Sequence, residues 1–285
     1  MFRLLNVNGR TALEHEGKWH DLAALSGDDT LGDPMVAVSR HSELHEWSAR
    51  CPAVTAGGAL ADVVLGAPVP RPLQVFGIGL NYRDHAQESG MDLPPAPLTF
   101  TKFPTCVAGP TADVSLSGAM VDWEAEIVAV IGQPASQVPV TEAWSVVAGL
   151  TLGQDISDRA VQLTGSPPQF SLGKSFAGYG PIGPALVSVD SFADPDDIGL
   201  WCDVAGRRVQ ESRTNQLIFS IPTLVAYLSS ICRLEPGDLI FTGTPAGVGM
   251  ATGRFLVEGD VVDTGAETIG SLRNTCVAGT GPLAP

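Results

Sequence analysis

Two acidic residues stand at the start of a strongly apolar segment. Glu124 and Glu126 precede or open the apolar run 127–131, which is rich in β-branched residues, ends at Gly132 and is typical of a buried strand. In an extended chain, residues two apart point to the same face. Two such carboxylates repel each other and are costly to desolvate, and a bound divalent cation removes both costs. The alternative is an edge strand whose two glutamates face water.

A third carboxylate lies near the end of a second predicted strand. Residues 147–156 are apolar for most of their length, and Asp155 follows the apolar part. If this strand lies beside the first one, Asp155 joins Glu124 and Glu126 as a third oxygen ligand. Three carboxylates with water completing the coordination suit Mg²⁺ or Mn²⁺, whereas zinc prefers nitrogen and sulfur ligands.

A histidine and a glutamate form a second candidate for chemistry. Residues 74–80 are predicted to be a buried strand, and the polar segment 81–88 that follows is predicted to be helical. His85 and Glu88 are three residues apart, so a helix places them on one face. A histidine held by a carboxylate can act as a general base near neutral pH. An ordinary surface pair is the alternative.

The composition predicts a large core and excludes several kinds of partner. The chain has 285 residues, of which 44% are hydrophobic and 16% charged, and its 32 glycines and 22 prolines favour a β-rich fold with many loops. The net charge of −15 and the lack of a basic stripe argue against a nucleic-acid partner. No apolar run reaches the roughly 18 residues of a membrane span. Five scattered cysteines predict free thiols, and we therefore expect a cytoplasmic protein.

The chain is expected to form two units. Residues 1–70 contain short strand candidates separated by glycine turns and are predicted to be a small N-terminal domain. Residues 71–285 are predicted to be the main domain. The proline-rich segment 66–72 is expected to be the extended linker between them.

Two helices are predicted away from the acidic residues. The first spans 41–51 and ends before a proline. The second begins after Ser220, whose hydroxyl is expected to cap the helix ahead of a proline in the first turn. Its apolar face is expected to contain Leu224, Tyr227, Leu228 and Ile231.

Five segments of the chain together resemble the fumarylacetoacetate hydrolase family. They are residues 79–85, 122–126, 154–159, 173–176 and 242–249. The resemblance extends over about residues 70–280, and the first 70 residues resemble the small N-terminal domain of longer bacterial members. It implies a mainly β (α+β) fold, namely a mixed β-sandwich roll with a small N-terminal α+β domain, and usually a homodimer.

The resemblance also assigns roles to individual residues. It places the metal ligands at Glu124, Glu126 and Asp155, and a catalytic lysine near the metal at Lys174. The histidine and glutamate that activate water in several members fall on His85 and Glu88. The substrate-binding residues implied are Arg159 and Gln162 for the acid and keto groups, and Thr244 on the carboxylate side.

The activity that the resemblance implies is hydrolysis of a carbon–carbon bond in a 2,4-dioxo acid of the acylpyruvate or fumarylpyruvate type, in catabolism and with Mg²⁺ or Mn²⁺. One alternative on the same metal site is decarboxylation of oxaloacetate or keto–enol isomerisation of a 2-oxo acid. Another is a non-catalytic member that binds a metal and a keto acid. The departures from the family pattern at Ala160, Phe170 and Ala177 motivate the last alternative.

Overall fold

The computed structural model describes residues 1–53, 57–88 and 90–279, and its centre is a mixed sheet of twelve strands. A separate sheet of five strands packs against one side of the large sheet. Helices and short 3₁₀ segments cover the remaining surfaces. This arrangement confirms the predicted mainly β, α+β fold class.

The strands are numbered in chain order through these described ranges. The large sheet contains β1 (Arg3–Val7), β2 (Arg10–His15), β3 (Lys18–Asp21), β4 (Gly58–Ala59), β5 (Leu65–Gly66), β6 (Val75–Gly79), β7 (Leu98–Thr101), β8 (Val107–Ala108), β11 (Ala125–Ile131), β12 (Val147–Gln154), β14 (Gly180–Val187) and β17 (Leu239–Phe241). The smaller sheet contains β9 (Val114–Leu116), β15 (Gly199–Val204), β16 (Arg207–Arg213), β18 (Val261–Ala266) and β19 (Gly270–Ala278). Strands β10 (Val121–Asp122) and β13 (Ser157–Asp158) pair only with each other.

The large sheet runs in the order β4-β3-β2-β1-β14-β12-β11-β17-β6-β7, with β5 beside β1 and β8 beside β14. The α-helices are α1 (Leu22–Ser26), α2 (Pro34–Ser39), α3 (His41–Arg50), α4 (Arg83–Glu88), α5 (Arg159–Gln162), α6 (Phe170–Gly173), α7 (Ile221–Ile231) and α8 (Gly249–Thr252). The 3₁₀ segments are Asp29–Gly32, Cys51–Ala53, Leu60–Asp62, Pro104–Cys106, Val140–Val146, Val189–Ser191 and Thr214–Gln216. Within the ranges described, no helix has both the length and the apolar character needed to cross a bilayer.

Strand β11 is buried on both faces, which explains its continuous apolar sequence. Ile127 and Ile131 belong to the core between the two sheets. Val128 and Val130 point the other way and pack in a second core formed largely by the N-terminal strands and helices. A strand enclosed on both sides has no polar face, so its pattern is a run rather than an alternation.

The first strands of the chain extend the large sheet instead of forming a separate one. Strand β1 pairs with β14, with Arg3 opposite Val187. Gly66 belongs to β5, and residues 67–74 contain no helix or strand but several bends. The division of the chain into domains 1–70 and 71–285 stays a prediction.

Helix α7 has the predicted cap and, except at Ile231, the predicted apolar face, with Tyr227 partly buried against the core. The hydroxyl of Ser220 accepts the backbone N–H of Thr223, and Pro222 lies in the first turn. The buried residues of the apolar stripe are Ile221, Leu224, Val225 and Leu228. The prediction for Ile231 is wrong, because this last residue of the helix lies at the edge of that stripe and its side chain is 68% exposed.

Candidate active site

The pairing of β11 with β12 brings the three predicted metal ligands together. The antiparallel register places Ala125 opposite Gln154, and the backbone N–H of Asp155 donates to the carbonyl oxygen of Glu124 at 2.9 Å. Carboxylate oxygens of Glu124, Glu126 and Asp155 lie within 4.8 Å of one another. All three side chains are buried, so the edge-strand alternative is wrong.

Two buried lysines neutralise part of this carboxylate cluster. The ammonium of Lys174, which follows α6, donates to Glu124 at 2.8 Å and to Asp155 at 2.6 Å. Lys102 donates to the other oxygen of Asp155 at 2.6 Å and to the carbonyl oxygens of Lys174 and Tyr179. The Lys102 side chain is wholly buried, which is tolerable only because these three acceptors replace water.

Arg159, the first residue of α5, connects the cluster to a neighbouring turn. Its guanidinium pairs with Asp122 at 2.7 Å and with Glu124 at 2.6 Å, and it donates to Gln162 at 2.9 Å. Asp122 also accepts the backbone N–H of Gly249 at 2.7 Å, at the start of α8. The guanidinium is therefore held on several sides before any ligand binds.

The surroundings shift the pKa values of Glu124 and Glu126 in opposite directions. Burial raises the pKa of Glu124, but the charges of Lys174 and Arg159 outweigh that cost and hold its pKa at about 2. Burial also raises the pKa of Glu126, and the carboxylates of Asp155 and Glu124 raise it further, well above its ordinary value. Burial lowers the pKa of Lys174, but the adjacent Asp155 and Glu124 leave it raised.

The residues of this cluster fit a hard divalent cation. The buried carboxylates are those of Asp122, Glu124, Glu126 and Asp155, and the buried cations are Lys102, Arg159 and Lys174. The excess negative charge falls on Glu126, which has no ion pair among the described residues and accepts the backbone N–H of Gly243 at 2.8 Å. A divalent cation would supply the missing positive charge, and Mg²⁺ and Mn²⁺ prefer carboxylate oxygens.

We expect Glu126 to make the metal-free protein more stable as the pH falls from neutral. Its folded pKa lies above the unfolded value of 4.5, so its contribution is complete below pH 4.5 and is lost as the pH rises through the folded pKa. Glu124 has the opposite sign, because its contribution is present above pH 4.5 and is lost as the pH falls towards 2. The free energy of unfolding in urea, measured on chelator-treated and dialysed protein from neutral pH down to about pH 2, tests both contributions.

Comparison with Glu126→Gln isolates the upper window of that pH dependence. The variant should no longer become more stable as the pH falls from neutral, because Glu126 is absent. It should still lose stability as the pH falls from 4.5 towards 2, because Glu124 is present. Identical profiles for the variant and the parent would contradict the described environment of Glu126.

Helix α4 carries the predicted histidine–glutamate pair. His85 Nδ1 lies 3.4 Å from Glu88 Oε2, and the two side chains are 13% and 23% exposed. Both oxygens of Glu88 also accept the backbone N–H of Gly247 at 3.1 Å, which ties α4 to the turn after β17. His85 and Glu124 line the same cavity, so the imidazole and the carboxylate cluster face a common space.

The turn after β17 fixes the position of Thr244. The Thr244 hydroxyl donates to the carbonyl oxygen of Ala125 at 2.9 Å and accepts from Gln210 Nε2 at 2.8 Å. The preceding Gly243 has a φ of +102°, and a Cβ at this position would lie 2.7 Å from the Cβ of Asn81. Both features require glycine there, because any side chain would be strained at this φ and would collide with Asn81.

A cavity of about 320 Å³ opens beside these groups. The predicted catalytic and substrate-binding residues all border it, namely His85, Glu88, Arg159, Gln162, Lys174 and Thr244. Of the carboxylate cluster, Glu124 reaches the cavity wall, whereas Glu126 and Asp155 are buried behind it. The predicted site residues, separated by up to about 160 positions, therefore share one chamber or its wall.

Three polar residues of the site have no predicted role in the sequence. They are Lys102, Asp122 and Gln210, which hold Asp155, Arg159 and Thr244 respectively. Lys102 had one available signal, since it is the single charged residue in the extended stretch 97–104. Asp122 stands two residues before Glu124, and Gln210 lies in a strand of ordinary polar composition, so their partners are visible only in the fold.

Comparisons with known proteins agree with this geometry. Residues 74–277 match the family model described as fumarylacetoacetate (FAA) hydrolase C-terminal. The chain is 39% identical over 221 residues to the mitochondrial oxaloacetate tautomerase FAHD2B of Bos taurus, covering 76% of this chain and 70% of that protein.

Two solved structures extend the comparison to the whole fold. The fumarylacetoacetate hydrolase from Exiguobacterium antarcticum superimposes with a TM-score of 0.83 at 29% identity, over 98% of this chain and 100% of the other. The maleylpyruvate hydrolase from Sphingobium sp. SYK-6, solved with manganese(II) and pyruvate, gives a TM-score of 0.82 at 26% identity, over the same 98% and 100%. From the matched family model and these relatives, the chain belongs to the fumarylacetoacetate hydrolase family.

Proposed function

We propose that this protein is a Mg²⁺- or Mn²⁺-dependent hydrolase that cleaves a carbon–carbon bond in a 2,4-dioxo acid. The observation that carries the proposal is the buried carboxylate cluster beside a cavity that also contains a histidine–glutamate pair. Glu124, Glu126 and Asp155 would hold the metal. When bound, the metal supplies a Lewis acid for the 2-oxo acid. The manganese and pyruvate of the maleylpyruvate hydrolase structure support this choice.

The other charged residues of the cavity have matching roles. Lys174 donates to Glu124 and Asp155, and its ammonium would stabilise negative charge that develops on the substrate oxygen. Arg159 and Gln162, joined by a hydrogen bond, would orient the acid and keto groups of the substrate. Thr244 borders the same cavity, and its hydroxyl would donate to the substrate carboxylate in place of the carbonyl oxygen of Ala125.

His85 would act as the general base for a water molecule. Glu88 orients the imidazole through Nδ1, which leaves Nε2 to take the proton from water as its oxygen attacks the distal carbonyl carbon. The bond between that carbon and the adjacent methylene then breaks. The proton held by His85 passes to the departing pyruvate enolate, so that the products are a carboxylic acid and pyruvate.

The direct test is hydrolysis of acetylpyruvate and fumarylpyruvate with and without EDTA, followed by addition of Mg²⁺ or Mn²⁺. We expect EDTA to abolish turnover and either metal to restore it. Turnover that continues without metal would contradict the proposal.

We expect His85→Ala to lower the rate of hydrolysis by about 10²- to 10⁴-fold, because it removes the general base. Glu88→Gln should give a smaller loss, since the imidazole remains but loses its charged partner. The measurements are kcat and KM on acetylpyruvate at several pH values. His15→Ala is the control, as this histidine lies in β2 outside the cavity. Full activity of His85→Ala would exclude the assigned base.

Conversion of oxaloacetate by decarboxylation or keto–enol isomerisation is the second candidate. The identity to an oxaloacetate tautomerase favours it, and the same metal and Lys174 would stabilise the enolate. Simple metal-assisted decarboxylation does not need a base that activates water. It should therefore persist in His85→Ala, whereas hydrolysis should not.

A non-catalytic role is less well supported by the positions of the unusual residues. Ala160 and Ala177 are exposed and do not line the cavity, and of the three departures only Phe170 does. Calorimetric binding of oxalate or pyruvate without turnover of any keto acid would nevertheless favour that role.

A homodimer and a cytoplasmic location also stay predictions. Light scattering of the purified protein would test whether it is a homodimer.

A further inference from the structure

We propose that this site selects 2-oxo acids whose distal substituent is apolar and disfavours those with a second carboxylate. The inference rests on the proposed function, because it takes the carboxylate cluster as the place where the oxo acid binds. It names a narrower substrate class than the relatives suggest, since oxaloacetate and maleylpyruvate, named for two of them, each have a carboxylate at both ends.

The cavity has one charged end and otherwise apolar walls. Its apolar lining side chains include Met91, Leu98, Phe100, Leu163, Phe170 and Met250. Four of them are unusually exposed for apolar residues, at 57% for Met91, 43% for Leu98, 41% for Leu163 and 47% for Met250. A substrate with an apolar tail would cover this surface and gain free energy by doing so.

Each basic residue that lines the cavity already has an acidic partner. Arg159 and Lys174 pair with the carboxylate cluster, and His85 pairs with Glu88. Among the described lining residues there is no further lysine, arginine or histidine. A second carboxylate bound between the apolar walls would lose its hydration without gaining a partner, which is costly for a charged group.

Phe100 forms the boundary between the two parts of the cavity. The ammonium of Lys174 lies 4.9 Å from the centre of its ring, and Phe170 packs against it edge to face at 5.9 Å. Gly77 in the adjacent β6 makes room for the ring, because a Cβ at that position would lie 2.3 Å from it. The ring is thus held where it contacts the charged end on one side and the apolar walls on the other.

Two arginines are sequence neighbours of cavity-lining residues but contact groups outside the cavity. Arg83 of α4 donates to the carbonyl oxygens of Gln216 and Leu217. Arg254, just after α8, lies over the ring of Trp123 at 5.9 Å. Neither lines the cavity, so neither supplies the cation that a distal carboxylate would need.

The test compares binding of 2-oxohexanoate and 2-oxoadipate, which have the same carbon chain and differ at the far end by a methyl or a carboxylate. Calorimetry in Mn²⁺ buffer with full-length protein measures both dissociation constants without requiring turnover. We expect 2-oxohexanoate to bind about tenfold more tightly. In the series from 2-oxobutanoate to 2-oxohexanoate, each added methylene should improve binding by up to about fourfold. Equal or tighter binding of 2-oxoadipate would overturn the inference.

A positive charge placed in the apolar wall should reverse the preference. We expect Leu98→Arg, and independently Met250→Lys, to improve the binding of 2-oxoadipate relative to 2-oxohexanoate by about tenfold. Leu172→Arg is the matched control, because this leucine is 63% exposed in α6 but does not line the cavity. The ratio of the two dissociation constants should be the same in this variant as in the parent protein. An unchanged preference in folded Leu98→Arg and Met250→Lys would also overturn the inference.

These outcomes separate the inference from the proposed function. If 2-oxohexanoate binds more tightly but no dioxo acid is hydrolysed, the selectivity stands and the hydrolase function fails. If dioxo acids are hydrolysed but the diacid binds as well as the monoacid, the hydrolase function stands and the inference fails.

Discussion

Replacing Glu126 with glutamine is expected to abolish metal-dependent turnover and at the same time to stabilise the metal-free protein. The carboxylate is buried beside two others and has no ion pair among the described residues, so removing its charge relieves repulsion. The same change removes one of the three carboxylates that we propose to hold the metal. Loss of a metal that contributes several kcal/mol to the transition state should lower kcat/KM by about a thousandfold or more.

The gain in stability should be about 1 kcal/mol at neutral pH in urea unfolding of the chelator-treated protein, since part of the repulsion is already relieved by protonation. Glu124→Gln provides the contrast. It should lose activity as well, but it should destabilise the metal-free protein, because Lys174 and Arg159 each lose a charged partner. A Glu126→Gln protein that is less stable than its parent, or that retains metal-dependent activity, would contradict the metal site.

Lys102→Met is expected to be the most destabilising single change in the cluster. The lysine side chain is wholly buried and donates to Asp155 and to two backbone carbonyl oxygens. Methionine fills a similar volume but leaves Asp155 with less positive charge around it and the buried carbonyl oxygen of Lys174 without its donor, whereas the carbonyl oxygen of Tyr179 keeps the backbone N–H of Ile156. Breaking a buried ion pair from one side costs about 3–5 kcal/mol.

The measurement for Lys102→Met is the free energy of unfolding from urea denaturation, with Lys18→Met as the control. Lys18 is exposed in β3 and has no ion pair among the described residues, so its substitution should change the stability by less than about 0.5 kcal/mol. A loss of less than about 1 kcal/mol for Lys102→Met would show that Lys102 does not support Asp155 as the structure describes.

Local sequence was enough to predict several elements. The apolar run 127–131 predicts a buried strand because strand burial depends on side chains within that segment, and β11 has this form. Ser220 and Pro222 predict the start of α7, because a cap satisfies backbone groups only a few residues away. The spacing of Glu124 and Glu126 predicts a common face for the same reason, since side chains alternate along one strand.

Local sequence does not specify how the distant segments of the site meet in space. That Asp155 meets the two glutamates depends on the register of β11 against β12, which no pattern within either strand specifies. The meeting of His85 and Glu88 with the turn at Gly247 depends equally on distant chain segments.

What the sequence by itself determined was the class of fold, the strands that carry the acidic residues and, by resemblance, the family; the roles of the site residues stay predictions. The tertiary structure alone decided that Lys102 and Asp122 are buried partners of the site and that the far part of the cavity is apolar. The physical reason is that a buried charge is stable only beside partners from other segments, and an apolar wall is a property of several elements that meet in space.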